Sequence, residues 1–263
     1  MEHLIRKFEK MGAQLTLGPE GRPRDPQGRP RLGFDIDVVT PTRGQESFLL
    51  NVGADVETHV LDFQPQDRHL LLLARNIDSG ELIGKYLCGH DERHWFVAGV
   101  GRQATSVRTA KESLKPFAVR QAEKSVRPKH RQRRKNPARL RQGEWFFLPA
   151  PQFAAGGQIV LHNEPLRRGA GKPHMAEDLV RFGGARVYTS TRHPNGLSEA
   201  AYRRLLSRTP AARSWGWRVQ VMNPQVFVRG AIRHPDHKTL RLPTWHRVLV
   251  NREEFTETVR FID

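Results

Sequence analysis

Leu4, Ile5, Phe8 and Met11 fall on one helical stripe, which predicts a helix over residues 2–11 that Gly12 is placed to end. Residues 18–33, rich in Gly, Pro, Arg and Asp, read as an exposed loop. A strand-like series follows. Phe34-Asp35-Ile36-Asp37-Val38 alternates with period two, and Phe48 to Val52, His69 to Arg75, Gly84 to Cys88 and His94 to Val100 are further candidates. Short strands with turn residues between them predict an antiparallel sheet. The longest apolar run, Leu70-Leu71-Leu72-Leu73-Ala74, suits a buried strand and is far shorter than the roughly 18–20 residues of a membrane span.

The period then becomes helical. Val107, Ala110, Leu114, Phe117 and Ala118 recur at helical spacing, Ala122 and Val126 continue the stripe, and Thr109 with Glu112 has capping-box spacing. Pro116 predicts a kink or break and Pro128 an end. Residues 127–141 offer almost nothing to bury and read as a flexible arm. Beyond them, Trp145 to Leu148, Gln158 to Leu161, Val187 to Thr189 and Arg247 to Val250 are strand candidates, and Trp217 to Met222 with Gln225 to Ile232 reads as a strand pair joined by Asn223-Pro224. Ser198 is placed to open a short helix that buries Ala201, Leu205 and Leu206. The fold class expected is α+β: an N-terminal antiparallel β-rich domain (1–100), a basic helical connector with a flexible arm (101–142), and a C-terminal basic α+β domain (143–263).

Charge changes the picture. The chain of 263 residues carries a net charge of +17. Residues 1–100 hold 12 basic and 15 acidic side chains, residues 101–142 hold 14 and 2, and residues 143–263 hold 18 and 10. The excess is therefore confined to the middle and C-terminal parts, as the electrostatic footprint of a polyanion-binding surface would be. Hydrophobic residues make up 37% of the chain, enough for a core. Charges interrupt the apolar positions of the N-terminus, unlike a signal peptide, and the single cysteine, Cys88, forms no internal disulfide. A soluble protein of the reducing cytoplasm, with no membrane partner, is the expectation.

Nucleic acid is the partner these residues suit best, RNA ahead of DNA. Arg127, Lys129, Arg131, Arg133, Arg134, Lys135, Arg139 and Arg141 crowd into the arm, where neutralising phosphates would relieve their repulsion. The loop Arg167-Arg168-Gly169-Ala170-Gly171-Lys172-Pro173-His174 adds Arg167, Arg168 and Lys172, but its glycine spacing and Pro173 do not make a P-loop. Arg233 and Lys238 flank a further loop. No base-reading motif accompanies them, which favours structured or single-stranded RNA. Among the tryptophans, Trp215 and Trp217 stand beside Arg213 and Arg218 and could stack on bases, whereas Trp95, Trp145 and Trp245 read as core.

The competing reading is a metal-dependent nuclease or other phosphodiester-acting enzyme. His234, Asp236, His237 and His246 bring imidazoles and a carboxylate close together, a set suited to a transition metal or to general acid–base work. Asp35 and Asp37 project from one face of a strand and could hold Mg²⁺. Gly89-His90-Asp91-Glu92-Arg93-His94 reads as an exposed charged hairpin turn. The chain lacks HExxH and paired Cys/His motifs, so no cofactor is expected.

Overall fold

A computed structural model describes residues 1–18, 33–40, 45–168 and 172–253. The predicted exposed loop therefore lies almost wholly outside the described residues. The protein is mixed α+β with several largely antiparallel sheets.

The N-terminal half opens on helix α1 (Glu2–Lys10), which buries Leu4 and Phe8 and turns off at Gly12, where φ is +81°. Strands β1 (Leu15–Leu17), β2 (Phe34–Val39) and β3 (Ser47–Val52) form one sheet in the order β1-β3-β2, with β1 parallel to β3. Strands β4 (Val56–Gln64), β5 (His69–Asn76), β6 (Leu82–Asp91) and β7 (His94–Gly99) form a four-stranded meander. The leucine run lies on β5 and is continuous rather than alternating because both faces of that strand are covered. Leu70 and Leu72 face a core shared with Phe8, Phe34 and Phe48, whereas Leu71 packs against Val107, Ala110 and Leu114.

Those last three residues belong to helix α2 (Val107–Ser113) and the turn after it. The capping box sits one turn earlier than Thr109–Glu112 would put it: Ser106 accepts the Thr109 amide, and the Thr109 hydroxyl accepts the Ser106 amide. Pro116 breaks the helix as expected, but α3 (Phe117–Ala122) leaves Phe117 in solvent, off the buried stripe.

Residues 127–141 are not a free arm. Two short strands are formed there: β8 (Lys135–Asn136) pairs with β9 (Arg139–Gln142), and β9 pairs with β10 (Trp145–Pro149). Underneath, three charged side chains meet out of solvent. Glu123 accepts Lys115 Nζ at 2.6 Å through one carboxylate oxygen, and Arg139 Nε at 2.8 Å and Asn136 Nδ2 at 2.7 Å through the other. Lys115 also donates to Glu112 and to the Arg131 carbonyl, and Arg139 donates to the carbonyls of Arg131 and Arg134. Every ammonium proton of Lys115 thus has an acceptor, which is what a buried charge requires. Composition argued for disorder because these partners are distant in sequence.

The C-terminal half is built on a seven-stranded sheet ordered β11-β12-β16-β17-β10-β9-β8. It comprises β8–β10 with β11 (Leu161–Leu166), β12 (His174–Phe182), β16 (Gln225–His234) and the long β17 (His237–Val250). One face buries Trp145, Leu179, Val228 and Ile232, and the other stacks Phe153 on Phe227 at 3.8 Å beside Trp245. The stretch 158–160, expected to begin a strand, is irregular and pairing starts at Leu161.

Between β12 and β16 the chain makes an excursion. Strands β13 (Ala185–Ser190), β14 (His193–Ser198) and β15 (Arg218–Met222) form a separate sheet, with helix α4 (Glu199–Arg208) between β14 and β15. The strand β15 pairs with β13 and not with β16, which corrects the expected Trp217–Ile232 hairpin. Ser198 caps α4 as predicted, yet none of the helix is fully buried, Ala201, Leu205 and Leu206 included. Phe182 pairs with Gln225 across the base of the excursion, so the chain leaves and rejoins the large sheet at one place. Among the described residues no helix is long and apolar enough to cross a membrane.

Candidate functional site

The arm residues divide by environment. Arg127, Lys129, Arg133 and Lys135 are exposed and make no ion pair with the described residues. Arg139 is only 2% exposed and is committed to Glu123. Arg131 is tied to the carbonyls of Val126 and Lys124, Arg134 to Asp91 and Glu92, and Arg141 to the carbonyl of Gly143. Those four serve the fold, so the contact surface expected of the arm shrinks to its exposed half. Outside it, Arg167 and Lys238 are exposed, Arg168 is bound to Asn251 and Glu253, and Arg233 reaches Asn163.

A second basic surface is formed by the excursion. Residues 183–222 contain seven arginines and one acidic residue, Glu199, which is paired with Arg203. Their aromatic side chains form a stack. The Arg192 guanidinium lies 4.4 Å from the centre of the Trp215 ring, and His193 is near-parallel to Trp215 at 5.9 Å and to Trp217 at 5.5 Å. Trp217 is held in place by its Nε1–H, which donates to the Ala212 carbonyl at 2.7 Å, and by the edge of Tyr202, itself stacked on Tyr188 at 4.1 Å. Trp215 makes no such bond and stays half-exposed beside Arg192.

The third arrangement joins turns that are far apart in sequence. The β6–β7 turn meets the β16–β17 turn: Glu92 Oε2 lies 2.6 Å from His237 Nδ1, and Asp236 lies 3.7 Å from His94 Nε2. Lys172 comes in from the basic loop to pair with Asp236 at 3.0 Å, which holds that carboxyl below its usual range. His174, at the start of β12, lies behind them. Its ring stacks 4.3 Å from His234 and 5.5 Å from His237, and one nitrogen from each of the three rings lies within 4.8 Å of the other two. Burial, reinforced by the two neighbouring imidazoles, pushes the His174 pKa down to about 3, and burial also lowers that of His234.

Several expectations are corrected here. The charged turn 89–94 is not simply exposed, since Asp91, Glu92 and His94 all contact the C-terminal half. His246 does not join His234 and His237: it is buried along β17 with Nδ1 at 2.8 Å from the Thr244 carbonyl. Asp35 and Asp37 share a strand but gather no third ligand among the described residues, and Asp37 accepts the amide of Val38. Of the basic loop, residues 169–171 lie outside the described residues. His174 and Glu92 were read only as parts of the basic loop and of the charged turn, and not as neighbours of His234 and His237. No local signal in the sequence joins them.

Comparison with known proteins finds no matching family model, no matching curated relative and no matching solved structure.

Proposed function

We propose that this chain binds nucleic acid, single-stranded RNA ahead of DNA, on the arginine–aromatic surface of residues 183–222. The observation that carries this reading is the Arg192–Trp215–His193–Trp217 stack on an excursion with a single acidic residue. A base stacked on an exposed indole gains about 1–3 kcal/mol and needs no particular sequence, while arginines neutralise the adjoining phosphates. RNA is favoured because its unpaired bases can splay onto such a surface. The exposed cations Arg127, Lys129, Arg133, Lys135, Arg167, Arg233 and Lys238 would extend the phosphate contacts. Residues 1–100 and the large C-terminal sheet would then act as the scaffold.

Fluorescence anisotropy with a labelled single-stranded oligoribonucleotide tests it. Trp215→Ala should weaken binding by about 1–3 kcal/mol with the salt slope unchanged. Arg213→Ala with Arg218→Ala should instead flatten the slope by about 0.7 for each phosphate left without its arginine. Undiminished affinity in Trp215→Ala, or a preference for duplex over single strands, would refute the assignment.

A further inference from the structure

An imidazole in a protein core ordinarily has at least one ring nitrogen hydrogen-bonded, because an unpaired buried polar atom costs about 1–3 kcal/mol. His174 breaks that pattern twice. It is 2% exposed, and neither Nδ1 nor Nε2 has a hydrogen-bond partner. The rings packed against it are the indole of Trp145, edge-on at 6.2 Å, and two more imidazoles.

We propose that His174, His234 and His237 bind one transition-metal ion of the Zn²⁺ class, with Glu92 orienting His237 from behind. Three neutral imidazoles are borderline donors that suit Zn²⁺, whereas Mg²⁺ and Ca²⁺ require oxygen ligands. The Glu92–His237 contact at 2.6 Å takes up Nδ1 and leaves Nε2 as the free donor, the arrangement in which a carboxylate fixes the tautomer of a metal-binding histidine. That Nε2 faces Gly143, where an added Cβ would lie only 3.3 Å away, so the turn at φ +55° leaves space beside the donor.

The rings must still close. Bonds of about 2.0–2.1 Å in a tetrahedral centre place donor nitrogens about 3.3 Å apart, so the present spread of up to 4.8 Å must contract. His234 has to release one of two weak backbone contacts, the Lys172 carbonyl at 3.2 Å from Nε2 or the Asp236 amide at 3.1 Å from Nδ1. The Asp236 amide belongs to the same hairpin turn as His234, whereas the Lys172 carbonyl comes from the chain entering β12, and a rotation of the His234 side chain releases either. Three protein ligands leave a fourth position open to water. This inference is independent of the nucleic-acid reading, since none of its residues lies in 183–222.

The test uses the full chain, freed of metal with a chelator and then titrated with Zn²⁺, following bound metal by elemental analysis. Co²⁺ serves as the visible-absorbance probe. One equivalent should bind and raise the melting temperature, and Mg²⁺ should do neither. His174→Leu and His237→Asn should each abolish that equivalent, while His59→Ala, at an exposed site, should retain it. Glu92→Gln should keep the stoichiometry and weaken affinity about 10–100-fold. Arg134→Gln removes the same ion pair from Glu92 but spares His237, and should not weaken it. Near-ultraviolet circular dichroism of each metal-free variant checks folding. If His174→Leu does not fold, the contrast between Glu92→Gln and Arg134→Gln decides. Absence of a bound equivalent, an equivalent that survives both histidine changes, or unchanged affinity in Glu92→Gln overturns the site.

Discussion

Glu123→Ala is the most demanding test of how residues 115–141 are held. The substitution removes the one carboxylate that compensates both Lys115 and Arg139, whose side chains are 3% and 1% exposed. Removing one partner of a buried ion pair typically costs about 3–5 kcal/mol, because the remaining charge keeps its desolvation penalty. Arg139 is left without a carboxylate, whereas Lys115 keeps Glu112 at 2.6 Å, so the cost falls within that range rather than beyond it. For a chain of this size each kcal/mol lowers the melting temperature by about 2–4 °C, which predicts a drop of roughly 6–20 °C. Asn136 is also deprived of its acceptor, and β8 and β9 of their anchor to the helical segment. Urea denaturation followed by tryptophan fluorescence gives the free energy. Limited trypsin digestion gives the location, since the wild-type chain should resist cleavage at 127–141 and the variant should be cut there first. A triple replacement, Lys115→Met, Glu123→Leu and Arg139→Met, should recover most of the stability by removing the charges together. A change under about 1 kcal/mol in Glu123→Ala with unaltered digestion would show that the segment is held by something else.

Two further outcomes are expected. His69 is buried against Phe96 with its pKa depressed to about 4, so the unfolded chain takes up its proton first as pH falls below about 6.5, and stability present above that value is lost on acidification. Its share at pH 5.5 is on the order of 1 kcal/mol, so between pH 8 and 5.5 the unfolding free energy of wild type, from chemical denaturation, should fall by about that much more than that of His69→Gln; an equal fall in both would contradict the assignment. Cys88 is fully buried in the N-terminal core with its thiol pushed up by burial, so a thiol reagent at neutral pH should label it only on unfolding; rapid labelling of the native protein would contradict the packing.

What the sequence disclosed depended on whether the signal was local. Phe34–Val39 and the leucine run were readable because period and burial coincide over a few residues. Strands β4, β12 and β17 were missed or shortened because each carries a register shift, at Val60/Asp62, at Ala176/Asp178 and opposite Val228/Gly230, that breaks the alternation. The arm was misread because Arg139 finds Glu123 sixteen positions upstream and Arg134 finds Asp91 forty-three upstream. The histidine cluster shows both sides. His234 and His237 stood out as neighbours, whereas Glu92 lies 145 positions from His237, and only the meeting of two hairpins brings them together.

The Phe182–Gln225 pair at the base of the excursion has a consequence for how this protein can vary. To the seven-stranded sheet, everything from 183 to 224 is a single turn between β12 and β16. Closing a loop twice as long costs only about 0.6 kcal/mol more, so the sheet is nearly indifferent to what that turn contains. The arginines and aromatic rings there can be exchanged, lengthened or deleted without disturbing the residues that place His174 and His234. The surface of the excursion is thus free to drift, while the strands beneath it stay under the constraints of their own packing.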